Sequence, residues 1–145
     1  MNILFGTDVV LDILLDRRPN ATAAIKLFSA VENKHFDGYL CATTITTIDC
    51  LITKSTGKYA ARLAIDNLLE IFNIAEVNRT VLKSAVELDY ADFEDAVLYQ
   101  SGFHTQINGL VTHNIDDYKF AKLPIYTPDQ LQDMVYSQTE DTTQK

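Results

Sequence analysis

Residues 92–117 read DFEDAVLYQSGFHTQINGLVTHNIDD, an apolar middle with acids at both ends. Asp92, Glu94 and Asp95 open a segment whose apolar positions Ala96, Val97, Tyr99 and Phe103 fit a helical repeat better than alternation. The acids therefore sit at a helix N-terminus. Asn108 and Gly109 mark a turn, Leu110 to Thr112 is a short buried-strand candidate, and the chain breaks at His113 and Asn114 before Ile115, Asp116 and Asp117. A second acidic pair thus lies just past a strand end. In α/β folds ligands bind beyond the carboxyl ends of parallel strands, where these two groups of carboxylates would meet. Oxygen-only clusters suit hard divalent cations, Mg²⁺ or Mn²⁺. The same residues also have a plain structural reading. Asp92 is a good N-cap with Asp95 three residues on, and Asn-Ile-Asp-Asp is an ordinary solvated turn.

Outward from this stretch, the 145 residues suit one domain, with 47% apolar and 22% charged residues and no internal repeat. Residues 1–136 are expected to form that domain and the polar 137–145 a disordered tail. The N-terminal MNILFGTDVVLDILLDRR is broken by Asp8 and Asp12 and has no basic region before it, so neither a signal peptide nor a membrane span is expected. Cys41 and Cys50 lie in apolar segments without metal-ligand spacing and read as reduced core residues of a cytoplasmic protein. A net charge of −8 excludes a broad nucleic-acid-binding surface, although cations bound in an acidic site would reverse the local sign. The grouped basic residues Arg17, Lys54 and Lys58 read either as solvated faces or as a backbone-binding rim for RNA.

Asn2 to Phe5 suits a buried strand. From Asp8 a helix runs toward Pro19 with Asp8, Asp12 and Asp16 at i, i+4 spacing. Asp12 lies within Val, Leu and Ile, where an acid is costly unless paired, solvated or cation-bound. Asn20 is a cap for a second helix to about Asn33, and Gly38 to Ala42 is a strand. A helix to Lys54 follows, carrying Asp49 beside its apolar stripe of Ile45, Ile48 and Ile52. Residues 58–70 are helical, 72–77 alternate like a strand, and Asn78 caps a further helix. A last strand ends at Tyr126, before the capping sequence Thr127, Pro128, Asp129, Gln130. Alternating strands and helices make this an α/β protein with a mostly parallel sheet covered on both faces.

The segments MNILFGTDVVLDILLDR, DFEDAVLYQSG and GLVTHNIDDY together resemble the PIN-domain family, the ribonuclease fold of VapC-type toxins, over residues 1 to about 131. The resemblance implies a three-layer α/β/α fold and a metal-dependent endoribonuclease using Mg²⁺ or Mn²⁺. It also implies an antitoxin partner and a homodimer. Asp95 matches the family's helix-start aspartate, Asp117 its aspartate after the Thr-x-Asn turn, and Thr112 and Asn114 that turn itself. Asp92 and Asp116 would support them, and Asp12 matches an acid on the first helix with a catalytic role alongside Asp95 and Asp117. The metal set implied is Asp95, Asp117, Asp8 and Asp49. The family's helix glutamate falls near Thr47. Its first strand ends in Asp-Thr-Asn, whereas this chain has Gly6, Thr7 and Asp8, so the first carboxylate is missing and weakened activity is expected. A degenerate PIN module that binds RNA or protein without cleavage is the other reading. Metal-free ribonuclease chemistry would want paired histidines, and His35, His104 and His113 show no such pairing.

Overall fold

The computed structural model describes residues 1–89 and 92–143, with side chains described as far as residue 137. Five strands, β1 (Asn2–Phe5), β2 (Asp37–Cys41), β3 (Asn73–Ala75), β4 (Gly109–Val111) and β5 (Ile125–Tyr126), form one sheet of order β3-β2-β1-β4-β5. Every pairing is parallel, with Leu4 opposite Tyr39 on one side and Leu110 on the other. Seven helices cover it among the described residues: α1 (Thr7–Leu14), α2 (Asn20–Glu32), α3 (Ala42–Thr56), α4 (Lys58–Ile71), α5 (Arg79–Glu87), α6 (Phe93–Thr105) and α7 (Pro128–Thr143). This is the three-layer α/β/α arrangement. No helix among the described residues is long and apolar enough to cross a membrane.

The period-two geometry of β1 divides the core. Ile3 and Phe5 face one layer, where they pack with residues of α1, α2, α3, α4 and α7. Leu4 faces the other, against α5 and α6. Phe5 is fully buried beside Phe28, Phe36 and Phe72, with ring centroids 5.9, 6.2 and 5.1 Å away. The chain winds outward from β1 through β2 to β3, then crosses to β4 and β5 on the other side. The switch in direction therefore falls between β1 and β4. The Gly6 amide donates to the Val111 carbonyl at 2.8 Å, carrying the pairing to the carboxyl end of both strands.

Several caps match their sequence signals. Asn78 accepts from the Val81 amide at 3.0 Å, and Thr127 and Gln130 exchange two reciprocal bonds at the start of α7. Three local expectations are corrected. Pro19, not Asn20, precedes the first residue of α2 and no side chain caps it. α1 stops at Leu14, and Asp16 has a φ of 50° outside the helix, paired with Arg18 at 2.8 Å, so the three-acid stack reduces to Asp8 and Asp12. α7 continues to Thr143, into the stretch expected to be a disordered tail. Once nucleated by its capping box and anchored by buried Leu131 and Val135, a helix extends at one hydrogen bond per residue without needing further core. Residues 144 and 145 lie outside the described residues. Cys41 is buried as expected, whereas Cys50 is exposed on the outer side of α3.

The four-ring cluster gives a direct check on the packing. Phe5→Ala is expected to cost about 3–5 kcal/mol of unfolding free energy, read as a lower urea midpoint at unchanged slope. A loss under about 1 kcal/mol would mean that the cluster is not the packed centre described.

Candidate metal centre

A small cleft of about 90 Å³ opens beyond the carboxyl ends of β1, β2 and β4, at the switch in strand order. Each part of the chain that ends there supplies oxygen atoms. Thr7 and Asp8 come from the first turn of α1, Thr43 and Thr47 from α3, and Glu94 and Asp95 from the first turn of α6. Thr112, Asn114 and Asp117 come from the segment after β4. Residues 115–118 form a 3-10 turn where the sequence suggested only a loop.

Asp8 is held firmly. Its Oδ2 accepts from Thr112 Oγ1 at 3.1 Å and from the His113 amide at 2.8 Å, bridging α1 to the end of β4. Gly6 has ordinary extended backbone, φ −63° and ψ 151°. A Cβ placed on it would lie 2.5 Å from Asp8 Oδ1 and 3.2 Å from the Val111 carbonyl. The Asp8 carboxylate thus occupies the room beside strand one that a side chain at residue 6 would enter.

Asp95 is placed by α6. Asp92 Oδ1 accepts from the Asp95 amide at 3.1 Å, so the structural N-cap reading of Asp92 is right and leaves the Asp95 side chain free to face the cleft. Tyr118 donates its hydroxyl to Asp95 Oδ1 at 3.2 Å. Burial, chiefly, pushes the Asp95 carboxyl up to about 6, with Asp92, Asp117 and Asp8 adding repulsion against the Tyr118 bond, which lowers it. Burial and the Asp95 charge push the Tyr118 phenol far above its ordinary range, so it stays a donor.

The cleft unites Asp8, Asp95, Asp117, Thr47, Thr112 and Asn114 from the sequence reading and excludes others. Asp12 points away from it and is 3% exposed, with Oδ2 against His113 Nε2 and Oδ1 3.8 Å from Arg17 Nη1. Its expected catalytic contact is therefore corrected: the carboxylate is taken up by a cationic partner and a ring nitrogen. Asp49 is likewise absent, because Arg62 on α4 donates to it at 3.3 Å across the α3–α4 pair. Asp116 is exposed outside the cleft. Lys54 and Lys58 lie at the far end of α3 and the start of α4, and eleven residues of helix from Thr43 to Lys54 span roughly 16 Å. Arg17 stands beside Asp12. These three do not rim the cleft. Glu94 and Tyr118 were missed as cleft residues; a buried tyrosine's need for a hydroxyl partner was the available clue for the second.

The chain matches the PIN domain family model over residues 2–116. It belongs to the PIN-domain family. No curated protein matches it. Among solved structures, VapBC2 from Rickettsia felis, bound to a DNA fragment from its promoter, shares 13% identity at a TM-score of 0.68, covering 88% of this chain and 98% of that one. A toxin–antitoxin complex from Klebsiella pneumoniae shares 21% identity at 0.65, covering 87% and 97%. Mycobacterium tuberculosis VapC20, a sarcin-ricin loop cleaving toxin, shares 16% at 0.61, covering 74% and 86%. At these identities the likeness is one of fold. As a PIN domain, the chain has a donor set that suits a hard cation: carboxylate, hydroxyl and amide oxygens without thiol or imidazole. No three His, Cys, Asp or Glu side chains among the described residues stand close enough to hold an ion together. Mg²⁺ tolerates that, since it keeps several waters and takes one or two carboxylates.

Asp95 gives the centre a pH signature. An unfolded aspartate loses its proton near 3.8, Asp95 in the fold near 6, so the folded chain binds the extra proton between those values. In chelator, stability should fall as pH rises from about 4 to about 6 and then level off. Asp95→Asn should remove that slope, raising the melting temperature above pH 6 and not below pH 4. A slope that survives the substitution would assign it to another group.

Proposed function

We propose that this PIN domain is a Mg²⁺- or Mn²⁺-dependent endoribonuclease of the toxin type, hydrolysing RNA phosphodiesters at the cleft. The observation that carries this is the delivery of Asp8, Asp95 and Asp117 from three separate elements to one oxygen-lined cleft at the sheet's switch point. When bound, such ions supply Lewis acidity at the phosphodiester. Asp95 and Asp117 would hold them with Asp8, which is two residues from the family position. Thr112 and the His113 amide keep Asp8 aimed, and Tyr118 orients Asp95. The fold neighbours that are toxin–antitoxin complexes support an antitoxin as partner, and VapC20 supports structured RNA as substrate. A homodimer is part of the same reading. With Lys54 and Lys58 far from the cleft, exposed Lys119 and Lys122, which follow the 3-10 turn, are the nearer candidates for the RNA backbone.

A degenerate module that binds RNA or protein without cleaving is the second reading. Gly6 and the lack of three closely grouped acids favour it.

Mn²⁺ at about 100 times its dissociation constant should stabilise the chain by roughly 2.7 kcal/mol. That is a melting shift of several degrees, at about 2–4 °C per kcal/mol for this size. Asp95→Asn should shrink the shift. Cleavage of RNA that requires Mn²⁺ and is lost in Asp95→Asn would support the enzyme; metal binding without cleavage would favour the module.

The Gly6 geometry adds a paired experiment. Gly6→Asp alone drives its Cβ against Asp8 Oδ1 and should destabilise the metal-free chain by dislodging Asp8. Gly6→Asp with Asp8→Asn restores the family's order of side chains, keeps an acceptor for the His113 amide, and should raise Mn²⁺ affinity and cleavage above the single variant. Equal behaviour of the single and double variants would show that Asp8 and residue 6 do not share that space.

A further inference from the structure

Asp12 stands apart from the cleft yet is the most buried carboxylate described, inside the apolar run of α1. A carboxylate there is costly unless paired. Its Oδ2 faces His113 Nε2, both atoms are buried, and neither has another hydrogen-bond partner. The backbone amide of the same His113 donates to Asp8 Oδ2 at 2.8 Å. Asp8 and Asp12 are four residues apart on one helix, so α1 holds His113 at two points one turn apart, the amide through Asp8 and the ring through Asp12. Thr112 adds to the lock, with its hydroxyl donating to Asp8 Oδ2 at 3.1 Å while accepting from the Asn114 amide at 3.0 Å. Both bonds to Asp8 fall on Oδ2, which turns Oδ1 toward the space over Gly6.

We infer that Asp12 is a positioning residue: by holding the His113 ring from outside the cleft, it fixes the 112–114 turn and, through the His113 amide, the direction of the Asp8 carboxylate. Arg17 Nη1, 3.8 Å from Asp12 Oδ1 and half exposed, helps to balance the charge but does not touch the turn. The role concerns this chain's own pairing of an aspartate with a histidine. It rests on the proposed cation site only where Asp8 is concerned.

Two readouts test it, one without metal. In chelator, amide hydrogen exchange at residue 113 should be faster in Asp12→Asn and in His113→Ala than in the wild type, and no faster in the double variant than in either single. Mn²⁺ affinity, titrated by calorimetry, should fall about tenfold in each single variant, the low end of losses for partners behind a metal ligand, again without further loss in the double. A structural role alone would lower the melting temperature and leave the amide and the affinity as they are. Asp12→Asn keeps the side-chain shape. Should it not fold, His113→Ala, a partly exposed ring removed from the other end of the pair, decides alone. Folded variants with wild-type exchange at residue 113, or effects that add in the double, would overturn the inference. If the amide loosens as expected but no chain, wild type included, binds Mn²⁺, the positioning role stands and the cation site fails.

Discussion

The constraint on which the rest of this structure depends is the junction between the end of β1 and the end of β4. The two strands are 106 residues apart in the chain and parallel, so nothing local brings them together. At their carboxyl ends the Gly6 amide bonds to the Val111 carbonyl, and one turn later the Asp8 carboxylate accepts from the Thr112 hydroxyl and the His113 amide. A single helical turn of α1 thereby closes the gap that a switch in strand order leaves between β1 and β4. The cleft is that gap with polar walls.

Filling such a gap with acids works against stability. Asp8, Asp92 and Asp117 all raise the energy of an ionised Asp95, and partial burial raises it more. The Tyr118 hydroxyl offsets part of that and Asp92 is absorbed as a helix cap. The remaining repulsion is what a divalent cation would relieve. Beneath it, Phe5 and its neighbouring rings, with Ile3 and Leu4 buried on opposite faces, form a core that holds the acids in place. Site and core are thus consecutive along one strand: the last core residue is Phe5 and the first cleft residue is Thr7.

Much of this was legible in the chain. Period-two and period-3.6 patterns located the strands and helices, and Asn78, Asp92 and the Thr127–Gln130 box marked helix starts because capping is local chemistry. Asp95 and Asp117 were readable as a pair because each stands at an element end, and element ends converge in a parallel sheet. Asp12 and Asp49 were not, since their partners, His113 and Arg62, are fixed by tertiary contacts that spacing cannot express. A helical face tells which way a carboxylate points, not whether a cation or a ring nitrogen waits there. The basic residues failed for the same reason: Lys54 shares α3 with the cleft residues Thr43 and Thr47 but sits at its other end.

The central claim, that one oxygen-lined cleft at the β1–β4 junction is the chain's divalent-cation site, is tested most directly by paramagnetic broadening. Substoichiometric Mn²⁺ added to the isotope-labelled chain should first erase the amide signals of residues 7–8, 94–95 and 112–117, and Asp95→Asn should suppress that loss. Broadening that starts instead around Glu32, Asp37 and Glu70 at the opposite end of the sheet, or that spreads evenly over the acidic surface, would contradict it.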